Sequence, residues 1–180
     1  MRAELASIGL DVREPSRGMA GVLADFDAQI FGSEAWNEAM WRSTLSTSEA
    51  AVYACEDHRP ALTPVTQMVG VGAVGLGPEA EILTIGVQRS WRGRGVGNNL
   101  LTLMLLRAVA SGAEAVFLEV RSQNGAARRM YQQRGFIDVG LRRGYYGDDD
   151  AVVMRLDVSL DTLLCSGKGR LGGREHSIRN

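Results

Sequence analysis

Residues 80–112 read as a strand, a glycine-rich turn and a long helix with nothing between them. "AEILTIGV" is the strand. In "NNLLTLMLLRAVASG" the apolar positions Leu100, Leu101, Met104, Leu105, Ala108 and Val109 recur along one helical face, and Gly112 is placed to cap the C-terminus. The junction carries Arg92-x-x-Gly95-x-Gly97. In this order the backbone N–H groups of residues 93–98 lie at a helix N-terminus, where unpaired donors and the positive end of the dipole favour a pyrophosphate. Glycine lets the backbone come close to such a group. Two nucleotide motifs fail on spacing: counted from Gly93, the second Gly of a P-loop and the third small residue of a Rossmann fingerprint would both fall on Asn98. Taken alone, the turn would equally fit a left-handed bend that binds nothing.

The remaining segments extend this unit. A short strand near Leu10–Arg13 stops before Pro15, and the helix "MAGVLADFDAQIF" places Val22, Leu23, Phe26 and Ile30 at helical spacing. "SEAWNEAMWRSTL" is a second helix with Ser33 as its N-cap. Its Trp36 and Trp41 suit either a core or the wall of a cleft. "AVYACE" and "QMVGVGAVGL" are strands on either side of the proline-interrupted loop "DHRPALTPV". The glycines of the second strand either admit a close-packed neighbour or mark a bulge. Gly77 and Pro78 turn that strand into "AEILTIGV". After the long helix come the strand "AEAVFLEVR", a short helix "NGAARRMYQQR" ending at Gly135, and the strands "FIDVGLRR" and "AVVMRLDV". The order β-α-α-β-β-β-α-β-α-β-β predicts an α/β (α+β) domain, one sheet covered by helices.

A chain of 180 residues has room for one ordinary domain, here residues 1–157, followed by a polar, Gly-rich tail over 158–180. Twenty Lys and Arg balance twenty-one Asp and Glu, so no global field points to nucleic acid or an anionic membrane. Cys55 and Cys165 are too few and too far apart for a scaffold or a redox motif, and His58 and His176 have no ligand-spaced partner, so no metal is expected. No apolar run is long enough to span a membrane, and "MRAELASIGLDVREP" lacks the apolar core of a signal peptide. The expected location is the cytoplasm.

Four segments in sequence order, "ILTIGV", "GRGVG", "LEVRSQNGAARRMYQQRGF" and "LRRGYY", resemble the RimI class of the GNAT N-acetyltransferase superfamily. The resemblance is close over residues 82–156 and is one of layout over 10–81. It implies a GNAT-type, mostly antiparallel central sheet flanked by helices, with acetyl-CoA as co-substrate. It further implies direct transfer, within a ternary complex, to a protein N-terminus, first of all the N-terminal alanine of a small-subunit ribosomal protein. By the same resemblance Arg92, Gly93, Arg94, Gly95, Val96, Gly97 and Asn98 meet the pyrophosphate, while Ile85, Gly86, Val87 and Asn124 meet the pantetheine arm. Three features depart from the family, one of them a tail longer than the family's short ending, which leaves a role in partner binding open. Gln88-Arg89 replaces a frequent Asp-Pro in the turn, and Asn98 stands where Arg or Lys is usual, which removes one phosphate cation.

Acyl transfer to an amine needs a neutral amine, a polarised carbonyl and stabilisation of the departing thiolate. A protein N-terminus has a pKa of ~7.7–8.0, so a weak base working through water suffices. Glu119 alternates with Leu118 and Val120, which puts it on the opposite sheet face with Phe117 and Arg121. The resemblance assigns it as general base and Tyr131 as general acid; Asn124 can also cap the helix that carries Tyr131. Glu81, Trp36, Tyr145 and Tyr146 are candidates to hold the acceptor, through a carboxylate for its ammonium and rings for its first residues. The same site could serve a small-molecule amine, or bind acyl-CoA without catalysis. The oligomeric state stays open.

Overall fold

The computed structural model describes residues 10–57 and 67–159. His58, His176, Cys165 and the C-terminal segment from residue 160 lie outside the described residues. The element order agrees with the sequence reading: β1 (Leu10–Arg13), α1 (Ala20–Phe31), α2 (Glu38–Thr44), β2 (Ala50–Asp57), β3 (Gln67–Gly75), β4 (Glu79–Val87), α3 (Val96–Ala110), β5 (Ala115–Arg121), α4 (Gly125–Gln133), β6 (Ile137–Arg142) and β7 (Ala151–Asp157). They form one seven-stranded sheet in the order β1-β2-β3-β4-β5-β7-β6. Every neighbouring pair is antiparallel except β4 and β5.

That one parallel pair shapes the molecule. Parallel neighbours need a crossover connection, and α3 supplies it. Pairing of β4 with β5 runs only from Glu79↔Ala115 to Ile82↔Leu118, so residues 83–87 and 119–121 diverge. A gap opens between the two strands at their C-terminal ends.

Helices cover both faces of the sheet. On one face α3 buries Val96, Leu100, Leu101, Met104, Leu105 and Ala108 against Val69, Val116, Leu118 and Met154. On the other, Leu23 and Phe26 of α1 and Trp41 of α2 pack on Val52, Ala54, Val71 and Ala73. The two tryptophans divide the roles the sequence left open. Trp41 is fully buried core, and Trp36 rests tilted against it at 4.9 Å while lining the gap.

Two sequence expectations are corrected here. Ser33 does not cap α2: it lies in a short turn, Gly32–Glu34, and Asn37 is the cap, its side chain accepting from Met40 N–H at 3.0 Å. The helix starts late because the Trp36 N–H is held by Asp27 Oδ2 at 2.8 Å, and Ala35 and Asn37 are extended. Val22, expected in the core, is 52% exposed, since it falls beside the stripe of Leu23, Phe26 and Ile30 that α1 turns inward.

The glycines of β3 admit a close neighbour. A Cβ on Gly70 would stand 3.0 Å from Val96 Cγ1 and 3.1 Å from Leu100 Cδ1; one on Gly72 would stand 3.0 Å from Met104 Sδ and Cε. The first turns of α3 therefore sit almost on the backbone of β3. Val96 is β-branched and stiff, whereas the Met104 thioether can swing aside. Gly70→Ala is expected to cost about 1–3 kcal/mol of stability and Gly72→Ala clearly less. Urea unfolding with an unchanged m-value checks this.

Candidate active site

The gap between β4 and β5 deepens into a cleft of about 760 Å³. Its walls come from the end of α1 and the turn after it, from β4 and β5, from the start of α4, and from the loop between β6 and β7. Of the residues singled out in the sequence, it brings together Glu81, Ile85, Arg92, Glu119, Asn124, Tyr131, Trp36, Tyr145 and Tyr146. Gly86 does not line it, because that glycine lies under Phe31, whose Cε2 is 3.1 Å from where a Cβ would be. Gly93 to Asn98 lie beyond the end of β4, at the start of α3, and Gly97 touches Val87 and Ile85 there.

Strand geometry exposes the backbone of β4 to this gap. The Gln88 N–H returns to Val69 O on β3 at 2.9 Å, and Val87 O accepts from Arg92 Nε at 3.0 Å. Because main-chain groups alternate sides along a strand, the N–H and C=O of Val87 face away from β3 and into the gap. Gly95, at φ +83, is the N-cap of α3, and no side chain caps that end. The first-turn N–H groups are thus left for a ligand or water. Arg94 lies over the buried ring of Trp91 at 5.0 Å, which anchors the turn to the core.

A cation that sequence reasoning missed stands beside this helix end. Arg134, just after α4, donates from Nε to Asn98 Oδ1 at 2.8 Å. Burial pushes its pKa down, yet a guanidinium stays charged in neutral water. The charge absent at position 98 thus arrives from another helix. Its signal, an Arg before Gly135, acquires meaning only once α4 is known to end beside the start of α3.

Two carboxylates, Glu81 and Glu119, line the same cleft. Glu119, mostly buried, receives Arg142 Nη1 on Oε1 at 2.8 Å. Glu81 lies on the neighbouring strand, opposite Phe117. Burial and then the charge of Glu119 raise the pKa of Glu81, and Arg142 opposes that rise. The pair with Arg142 went unseen in the sequence because β7 separates β6 from β5.

Tyr131 is buried on α4 with its ring edge-on to Phe136 at 5.7 Å. Burial, with a smaller effect of Tyr146, pushes its phenol up to about 12. It is therefore a proton-bearing donor at neutral pH. Asn124 caps α4 as expected, its Oδ1 accepting from Ala127 N–H at 3.1 Å, which leaves the amide NH₂ available to the cleft. Tyr145 and Tyr146 meet edge to face at 5.0 Å on the far wall.

Among the described residues no group of three or more His, Cys, Asp and Glu could hold a metal ion, and no helix is long and apolar enough to cross a membrane. Over residues 24–136 the chain matches the acetyltransferase (GNAT) family model. It is 35% identical over 147 residues to the N-alpha-acetyltransferase RimI of Mycobacterium tuberculosis, spanning 79% of this chain and 89% of that protein. To the ribosomal protein bS18-alanine N-acetyltransferase of Salmonella typhimurium it is 33% identical over 108 residues, 58% of this chain and 68% of that protein. The crystal structure of the ribosomal-protein-S18-alanine N-acetyltransferase from Escherichia coli has the same fold, with a TM-score of 0.70 at 21% identity over 84% of this chain and 95% of that one. With a family model spanning more than half of the chain and a RimI protein alike along most of it, this protein belongs to the GNAT acetyltransferase family, is RimI-like within it, and is an acetyl-CoA-dependent N-acetyltransferase.

Proposed function

We propose that the protein acetylates the α-amine of a protein N-terminus, with the N-terminal alanine of a small-subunit ribosomal protein as the first candidate. One observation carries this reading: Glu119, Glu81 and Tyr131 converge in a single cleft beside the free backbone edge of β4. The identity to RimI proteins supports the choice of acceptor.

In this reading the uncapped N–H groups at the start of α3 take the pyrophosphate, with Gly93, Gly95 and Gly97 keeping the backbone accessible and Arg92, Arg94 and Arg134 supplying charge. Val96 and Asn98 contribute main-chain N–H groups, and Asn98 also holds Arg134 in place. The pantetheine arm runs along Ile85 and Val87, and the Asn124 amide meets it from α4. Val87 N–H faces the thioester oxygen and stabilises the charge that develops there.

Glu119 accepts a proton from the acceptor ammonium through water and passes it to solvent, and the freed amine attacks the acetyl carbon. The second proton, left on the attacking nitrogen, goes through the same water to Glu119 as the C–S bond breaks and the thiolate leaves toward Tyr131. With the phenol near 12 and a thiol near ~8.5, complete proton transfer from Tyr131 runs uphill. Its contribution is a hydrogen bond to the thiolate, which acquires its proton on release. Glu81, Trp36, Tyr145 and Tyr146 hold the acceptor.

The deciding assay is acetyl-CoA-dependent thiol release with a peptide beginning in Ala, beside the same peptide with a blocked terminus and an internal Lys. Signal from the free terminus alone supports the reading. Signal from small amines alone, or acetyl-CoA binding without transfer, replaces it. Glu119→Gln and Tyr131→Phe are each expected to lower kcat by about 10²–10⁴ with acetyl-CoA affinity preserved in calorimetry.

Arg134→Leu should do the opposite, weakening acetyl-CoA binding about ten- to a hundredfold while kcat holds, since a charged hydrogen bond contributes about 1.5–3 kcal/mol. Arg142→Gln addresses the carboxylates. Without that cation the Glu81 carboxyl, already raised by burial and by the charge of Glu119, holds its proton more tightly, so the acidic limb of the kcat/KM profile moves to higher pH. An unmoved limb in a pH–rate series would show that Arg142 does not tune Glu81.

A further inference from the structure

Arg121, the last residue of β5, takes no part in the steps above. Its guanidinium nevertheless gathers three segments of chain. Nη2 and Nε bind the Glu34 carboxylate in the turn after α1, 87 residues away. Nη1 binds Asp148 Oδ1 at 3.1 Å in the loop between β6 and β7, and lies 3.9 Å from Asp149 Oδ2. The guanidinium carbon stands 4.4 Å from the centre of the Tyr146 ring in that same loop. Asp149 in turn is buried and anchored to the turn after β5, accepting from Ser122 Oγ and from Gln123 N–H.

Glu34 and Tyr146 line the cleft from two segments far apart in the chain, as do Trp36 and Tyr145. Neither wall segment is part of the sheet. Tyr146 bonds within its own loop, to Asp149 O, and the Gly32–Glu34 turn is joined to Ala35 by one backbone bond. A planar guanidinium can bind carboxylates from two sides while its face lies on a ring, which an ammonium cannot do in one geometry.

We propose that Arg121 is a positioning residue for the acceptor peptide: it straps the Gly32–Glu34 turn to the β6–β7 loop and so sets the separation of the two walls beside Glu119. This rests on the reading of the cleft as a peptide site. The strap acts on residues of the acceptor beyond the reacting one, because it fixes the walls and touches neither Glu119 nor Tyr131. A short acceptor that enters only as far as the carboxylates gains little from it.

Two measurements test the strap, one of them independent of activity. In hydrogen exchange, Glu34→Gln is expected to speed exchange in its own turn and also in residues 145–149 across the cleft. An unchanged far loop would refute mechanical coupling through Arg121. In kinetics, Glu34→Gln and Arg121→Lys are each expected to raise KM for an Ala-initiated hexapeptide about fivefold, a usual size for coupling between sites. The KM for alanine amide, the KM for acetyl-CoA and kcat should stay within about twofold of wild type. Equal losses on both acceptors, or loss of acetyl-CoA affinity, would mark Arg121 as a general structural residue and overturn the proposal. If the unmodified protein acetylates no peptide, the reading of the acceptor fails, and the exchange experiment still decides whether the strap exists.

Discussion

The early end of pairing between β4 and β5 is the constraint on which the site depends. Four paired rows, Glu79↔Ala115 to Ile82↔Leu118, hold the strands together, and beyond them the chains separate. An unpaired strand edge buried without a partner costs free energy, so such a gap persists only where a ligand or water can satisfy it. Here Val87 turns its N–H and C=O away from β3, and the carbonyl is met by Arg92 Nε at 3.0 Å. The parallel pair also forces α3 to cross between its strands, which leaves an uncapped helix start at the mouth of the cleft. One topological choice thus yields both an unpaired stretch of strand and a helix start that no side chain caps.

Charge within the cleft is arranged by contacts that span the sheet. Glu81 and Glu119 stand on adjacent strands, and Arg142 reaches Glu119 across β7. The charge of Glu119 adds to the rise in the Glu81 pKa, and the Arg142 guanidinium opposes it. At the other end, Arg134 delivers its charge to the α3 start through Asn98. Asn98 thus holds a cation where a cation of its own is absent.

Much of this was legible in the sequence. The strand, glycine turn and helix of residues 80–112, the outward face of Glu119 and the capping role of Asn124 all follow from periods and side-chain chemistry acting within a few residues. The two errors were local as well. Ser33 has the right chemistry for a cap but lies before a stretch that Asp27 holds extended, and Val22 sits one residue away from the buried stripe of α1. In both cases a contact or a helix orientation outside the local window prevailed.

By itself, the sequence determined which segments become strand or helix, where the glycine-rich turn before α3 lies, and which family the chain resembles, because each of these is written in neighbouring residues. The tertiary structure alone decided that Trp36 lines the cleft while Trp41 fills the core, that Arg134 serves the helix start, and that Arg121 and Arg142 bind carboxylates far along the chain. The physical reason is the sheet order. Placing β7 between β5 and β6, and α4 beside the start of α3, sets distances between residues that no local period encodes.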